Sequence, residues 1–394
     1  MAGEAQRPNV VVFGGCGFIG RNLVSYLLEN GLVSSVRVVD KVPPQVAWLS
    51  SIHREVFEDP RVVFKSANLI NQGACDAAFE GGTFKYAFNC ACETKPGQTE
   101  PVYREGIYKV SMNCATAAAN HRVDRFVELS SGAMYSSEKT GHKEDDKVDP
   151  WTQVAKFKFQ VEEGLRNIPG LRFTILRPAI VYGVGDKTGI VPRLVIGGIY
   201  KHLNESMKLL WDKNMVMNTV HVEDLCRAMW HVCQREDTLG HVYNVADDGH
   251  TTQGLLSEII SELFNINHDY YGNTLSSICK TDMIGVVEEV NDKHSGPWAE
   301  LCARDGVENT PLSPYIHQEL LYNKHLNLDT SKLRNTNFTL TRPQLNKERL
   351  QEVSAFPKEK MIFQSECYFF SSGHHTMLWI RYNEIFLIHN LSYQ

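Results

Sequence analysis

This chain has no Cys-x-x-Cys pair, no Gly-x-Ser-x-Gly elbow and no concentrated stripe of lysine and arginine. The first absence removes the usual spacing of a structural zinc site. The ten scattered cysteines, from Cys16 to Cys367, then read as small buried hydrophobes of a reducing compartment. The second absence excludes the nucleophile turn of an α/β-hydrolase. The third, with a formal charge of only -6, gives no electrostatic footprint for a nucleic-acid partner. His374-His375 is the only adjacent histidine pair and has no zinc-spaced neighbours, so no metal site is expected.

A hydrophobic run long enough to span a membrane is also missing from the tail, residues 356–394. Tyr368-Phe369-Phe370, Met377-Leu378-Trp379-Ile380 and Ile385-Phe386-Leu387-Ile388 are apolar, but Arg381 and Glu384 interrupt them before about 20 residues accumulate. Packing against the body or a second subunit is the main expectation for this tail, and a peripheral membrane contact the lesser one. Met1 to Asn9 is polar and includes Pro8, unlike a secretory signal. A cytoplasmic protein is expected.

What is present is enough for a sizeable core: 43% hydrophobic and 22% charged residues in 394. Val10 to Phe13 is a short apolar run, followed by glycines and then by Ile19, Leu23 and Leu27 on one helical face. A second strand, Val36 to Val39, ends in Asp40. Further strand-like segments are Val62 to Phe64, Tyr86 to Cys90, Phe126 to Leu129 and Phe173 to Leu176, with helical patterns at Tyr108 to Asn120 and Val154 to Leu165. Strands alternating with helices argue for an α/β fold with a mostly parallel sheet covered on both faces. Beyond Arg177-Pro178 the pattern predicts helices over 190–203, 222–233 and 253–264 and strands over 216–221 and 242–245. Residues 265–320, rich in glycine and proline, read as an irregular lid, interface or insertion.

The glycines carry the clearest chemistry. Gly14, Gly17 and Gly20 fall where strand gives way to helix, as a tight turn, a bare backbone and close helix–sheet approach around a pyrophosphate require. Helix N–H groups and the helix dipole would meet the phosphates there. Asp40, twenty residues after Gly20, would accept hydrogen bonds from the adenosine ribose and repel a 2'-phosphate. NAD is therefore the expected cofactor, with NADP less favoured; Lys41 softens the preference.

Several motifs in order carry a wider resemblance. They are Gly14-Gly15-Cys16-Gly17-Phe18-Ile19-Gly20, then Leu129-Ser130-Ser131-Gly132-Ala133-Met134-Tyr135, Leu176-Arg177-Pro178-Ala179-Ile180-Val181-Tyr182-Gly183, Val220-His221-Val222-Glu223-Asp224 and Tyr243-Asn244-Val245. With these the chain, over roughly 10–353, resembles the extended short-chain dehydrogenase/reductase family of nucleotide-sugar epimerases and dehydratases and 3β-hydroxysteroid dehydrogenase-like enzymes. The resemblance implies a Rossmann-type parallel sheet flanked by helices, mainly 9–180, and a smaller C-terminal substrate domain, mainly 181–355, with segments returning to the sheet. It places Phe18 and Ile19 in the phosphate turn, Asn68 and Leu69 near the adenine, and Ala91 in the cofactor-side loop. It implies oxidoreductase or epimerase/dehydratase-like chemistry on a hydroxyl or ketone of a nucleotide sugar, sterol or related metabolite, and a homodimer.

That chemistry needs a tyrosine to exchange a proton, a lysine one turn later to lower its pKa and hold the ribose, and a hydroxyl residue on the reacting oxygen. Ser131 matches the hydroxyl, four residues before Tyr135. The tyrosine is missing. Spacing to Glu162 and Leu165 favours Lys158 as the lysine and puts Val154 at the tyrosine position; choosing Lys156 puts Thr152 there. Tyr135, Glu93 and His221 are substitute acid/base candidates, each with an architectural alternative, and Trp151 is either a stacking surface or a core filler. The second class of function is a catalytically silent NAD-binding regulatory or assembly subunit.

Overall fold

In the first strand, β1 (Asn9–Phe13), the residues Val10, Val11, Val12 and Phe13 are all completely buried, as a parallel strand covered on both faces requires. The structure is a computed structural model that describes residues 7–135 and 140–354; the aromatic tail, 356–394, lies outside the described residues. The remaining strands of the large sheet are β2 (Ser35–Asp40), β3 (Val62–Ser66), β4 (Tyr86–Asn89), β5 (Arg125–Leu129), β6 (Phe173–Pro178) and the strand Val242–Val245. All seven pair in parallel, in the order Val242–Val245, β6, β5, β4, β1, β2, β3. From β1 the chain winds outward to β3 and then returns to β4 on β1's other side, which opens a crevice at the carboxyl ends of β1 and β4.

One face of the sheet is covered by the helices Phe18–Glu29 and Val222–Cys233, whose Leu23, Leu27, Leu225 and Met229 join Val10, Val12 and Val38 in one core. The opposite face is covered by Val110–Asn120 and Gln153–Leu165, with Cys114, Phe157 and Val161 against Val11, Phe13 and Phe126. A separate core gathers the helices Val191–Leu203, Gln253–Phe264 and Met283–Arg304 around Leu194, Ile260 and Val287. The Rossmann-type sheet and the smaller C-terminal assembly are as expected, and the helix Val222–Cys233 and strand Val242–Val245 return to the sheet. Among the described residues no helix is long and apolar enough to cross a membrane.

The structure corrects three local readings. Residues 265–320 are not an irregular loop: they hold the helices Gly272–Cys279 and Met283–Arg304, the latter running through Gly285, Gly296 and Pro297. The helix expected from Tyr108 starts at Glu100, and residues Arg104–Lys109 form a wider π turn within it. The strand expected over 216–221 is regular only at Thr219–His221, because Val216 and Met217 make isolated bridges to Thr252 and Leu326.

Asp224 ties the C-terminal segment down. It is fully buried and accepts hydrogen bonds from Thr341 N and Oγ1, both at 2.8 Å, Arg342 N at 2.7 Å and Arg227 Nη1 at 2.8 Å. Asp224→Ala strands these donors and is expected to cost about 3–5 kcal/mol, read as a lower urea midpoint. An unchanged midpoint would show that the segment holds without it.

Candidate nucleotide and catalytic site

The glycine turn is bare for steric reasons that can be stated atom by atom. Gly14 sits at φ +70° and donates its N–H to Val39 O at 2.8 Å. A Cβ on Gly14 would stand 2.5 Å from Ala91 N, and one on Gly20 would stand 2.3 Å from Gly14 O. Gly17 caps the helix Phe18–Glu29 without a side-chain hydrogen bond, and that helix has no acidic residue in its first turn. Its leading N–H groups and positive dipole end are left for an anion. Phe18 and Ile19 are half-buried at the mouth of this turn, and Ala91 faces it from the loop after β4, its N–H bonded to Asn89 Oδ1 at 3.1 Å.

Asp40 closes β2 beside the same turn. Its Oδ2 accepts from Cys16 N at 3.1 Å and its Oδ1 from Val42 N at 3.0 Å, so the carboxylate is aimed by backbone and keeps further lone pairs as acceptors. Lys41 is exposed. Asn68 is exposed and accepts from Ile70 N at 3.2 Å in a local turn, while Leu69 is buried with its carbonyl held by Asn113 Nδ2 at 3.0 Å.

Arg21 was not singled out from sequence, although it directly follows Gly20. It is 1% exposed, and its guanidinium donates to Cys16 O at 2.6 Å, Gly17 O at 3.1 Å, Ala47 O at 2.7 Å and Trp48 O at 2.7 Å. It fastens the phosphate turn to the segment after β2, and burial lowers its pKa to about 10.

At the other end of the crevice lies the helix Gln153–Leu165. Thr152 Oγ1 caps it by accepting from Ala155 N at 3.1 Å. The helix turns Val154 half inward, leaves Lys156 exposed and buries Lys158. Lys158 Nζ donates to Glu128 Oε1 at 3.0 Å and to Leu129 O at 2.6 Å. Burial alone would lower the Lys158 pKa, but the Glu128 carboxylate hydrogen-bonded to it raises it overall, so it is held as an ammonium.

Glu128, which is fully buried, also accepts from Asn89 Nδ2 at 2.7 Å and Ser111 Oγ at 2.9 Å. It is the second residue the sequence reading missed, and its signal was an acid inside the apolar strand Phe126–Leu129. Lys158 therefore does not pair with Glu162. Glu162 is held by Arg177, at 2.9 and 2.6 Å.

The substitute acid/base candidates are largely engaged. Tyr135 is stacked on His142 at 5.1 Å, donates to Asn244 Oδ1 at 2.9 Å and accepts from Arg177 Nη1 at 2.7 Å; burial pushes its phenol up to about 12. His221 is buried, its Nδ1 accepts from Glu223 N at 3.2 Å to cap a helix, and burial pushes it down to about 4. Glu93 is half-buried and accepts from Lys95 N at 2.9 Å. Ser131, half-buried after β5, accepts from Ala133 N at 3.1 Å and keeps its own hydroxyl proton to donate. Trp151 is half-buried. Among the described residues no group of three or more His, Cys, Asp and Glu is placed to hold a metal.

The sequence profile of the NAD dependent epimerase/dehydratase family matches residues 10–246. The Escherichia coli protein YbjS is 26% identical over 267 residues, covering 64% of this chain and 74% of YbjS. Among solved structures, the UDP-glucose 4-epimerase of Thermotoga maritima with UDP-glucose is similar at 21% identity and a TM-score of 0.61, over 88% of this chain and 98% of that one. The Thermus thermophilus UDP-glucose 4-epimerase complex with NAD is similar at 19% identity and a TM-score of 0.59, over 88% and 97%.

Proposed function

The chain belongs to the NAD dependent epimerase/dehydratase family, and from that premise we propose that it binds NAD across the carboxyl ends of β2, β1 and β4. The observation that carries this reading is the bare turn Gly14–Gly20 pressed against Ala91, with Asp40 aimed beside it. The substrate is a small molecule bearing a hydroxyl or ketone, of the nucleotide-sugar, sterol or related class. The similar structure with UDP-glucose supports the nucleotide-sugar part of that class, and the one with NAD supports the cofactor. NAD supplies hydride transfer when bound. The chain's own residues divide the remaining work: Asp40 takes the adenosine ribose, Lys158 offers its remaining N–H to the other ribose, and Ser131 donates to the reacting oxygen.

A second reading, a silent NAD-binding regulatory or assembly subunit, is favoured by one observation. With Lys158 as the lysine, Val154 occupies the place of the proton-exchanging tyrosine, and Tyr135 is engaged by Asn244 and Arg177. We also place the protein in the cytoplasm, supported by nine free cysteines among the described residues, and propose pairing of two copies through sheet-flanking helices.

Stereospecific transfer of deuterium from labelled NADH, assayed across keto-sugars and ketosteroids, decides between the readings. Transfer to any of them is the result expected of the enzyme. A blank panel from protein that binds NADH tightly would favour the silent subunit.

A further inference from the structure

The crevice places an ion pair where a lone cation would otherwise stand. Asp40 at the end of β2 marks the adenosine side, and the turn at Gly14 meets Ala91 between β1 and β4. A dinucleotide entering there extends its other half over the ends of β4 and β5. Lys158 reaches that edge, because it bonds the carbonyl of Leu129, the last residue of β5. Its ammonium is cancelled by Glu128 at 3.0 Å, and both side chains are essentially sealed from water.

No other full charge bonds to this pair. Asn89 and Ser111, which complete the carboxylate's hydrogen bonds, are neutral. Burial raises the thiols of Cys90 and Cys92 above their ordinary value, so they stay protonated. The neighbouring Glu162–Arg177 pair, one partner on the same helix and the other on β6, is itself balanced. The groups bonded to the pair therefore add no net charge to it.

We propose that Glu128 sets the redox preference of the bound cofactor: by cancelling Lys158 it removes the repulsion that an ammonium exerts on the positive nicotinamide of NAD+ and so retains NAD+ relative to NADH. The inference rests on the NAD reading above. Glu128 acts through Lys158 and is a positioning residue. In an effective dielectric of about 20, an uncompensated unit charge anywhere within about 12 Å changes a binding constant roughly ten-fold or more. The oxidised ring carries the charge that responds, and the reduced ring does not.

The test is the ratio of dissociation constants, Kd for NAD+ over Kd for NADH, measured by NADH fluorescence and by competition with NAD+ on the full chain. Glu128→Gln is expected to raise this ratio about ten-fold. Lys158→Met is expected to lower it, because it leaves the carboxylate alone. The double variant Glu128→Leu with Lys158→Met should return the ratio close to the parent's. A generally loosened site weakens both ligands together and leaves the ratio unmoved, so a ratio unmoved in both single variants, or moved in one direction by both, overturns the proposal. If Glu128→Gln does not fold, a lowered ratio in Lys158→Met that the double variant reverses supports the proposal, and its absence overturns it. A parent protein that binds neither form overturns the NAD reading and this inference with it, whereas parent binding with unmoved ratios overturns this inference alone.

Discussion

Gly20→Ala is expected to weaken NADH binding on the order of 100-fold, the loss of about two charge-assisted backbone hydrogen bonds to phosphate. The added Cβ would stand 2.3 Å from Gly14 O and 2.6 Å from Gly15 Cα. Both neighbours are backbone, and neither can rotate away. The helix Phe18–Glu29 must retreat from the turn, carrying with it the N–H groups that face the pyrophosphate. Helix propensity works in the opposite direction, since alanine is favoured over glycine by about 1 kcal/mol in a helix interior. The control is Gly296→Ala, on an exposed helical position with nothing within 4 Å of its Cβ. It should leave NADH affinity unchanged, and the crowding of its Cβ by the ring of Pro297 offsets the helix propensity gained. Equal affinities for Gly20→Ala and the parent in a fluorescence titration would remove the glycine turn from the binding site.

Mild acid is expected to unfold the protein through three buried imidazoles. His53, His221 and His294 are each held neutral by burial, which lowers their pKa to about 3, about 4 and about 4. His294 has neither ring nitrogen hydrogen-bonded, so a proton there would be a bare charge in the core. Unfolded histidines titrate near 6.5. Above that pH both states are neutral and the full stability is present; as pH falls below it, the unfolded chain takes up protons that the folded chain refuses, and stability is lost down to about pH 4.

Asp247 opposes the trend. Burial raises its carboxyl to about 6, so the folded state gains one proton more readily in the same window. For these four groups alone the difference is about two protons, or roughly 5 kcal/mol between pH 6.5 and 4.5, and the carboxyls of Glu144 and Asp186, also raised by burial, reduce it. Urea midpoints at pH 7, 6 and 5 should fall in that order. Midpoints that stay level or rise would contradict the burial of these histidines.

Much of the nucleotide end was legible because its signals are local. The run Val10 to Phe13, the glycine spacing and Asp40 lie within one strand–helix–strand unit, and each obeys a steric or electrostatic demand written in neighbouring residues. The helices Val222–Cys233 and Gln253–Phe264 were legible for a similar reason, a continuous amphipathic pattern. The helix Met283–Arg304 was not. Its buried residues Met283, Val287, His294 and Leu301 form one sparse stripe, and Gly285, Gly296 and Pro297 carry the signals of a loop. Packing of that stripe against the Val191–Leu203 helix overrides the local preference.

The partners at the catalytic end are tertiary and were hidden for that reason. Lys158 and Glu162 stand one helical turn apart, which suggests a pair. The fold instead gives Lys158 to Glu128 on β5 and Glu162 to Arg177 on β6. Tyr135 looked available in sequence and is occupied by Arg177 and Asn244, residues 42 and 109 positions away.

The central claim is that the crevice beside Gly14 and Asp40 holds NAD. Fluorescence titration of the full chain with NADH and with NADPH tests it most directly. Tighter binding of NADH, lost in Gly20→Ala and narrowed towards NADPH in Asp40→Ala, is the result this account predicts. Equal affinity for the two cofactors, or no binding of either, would contradict it.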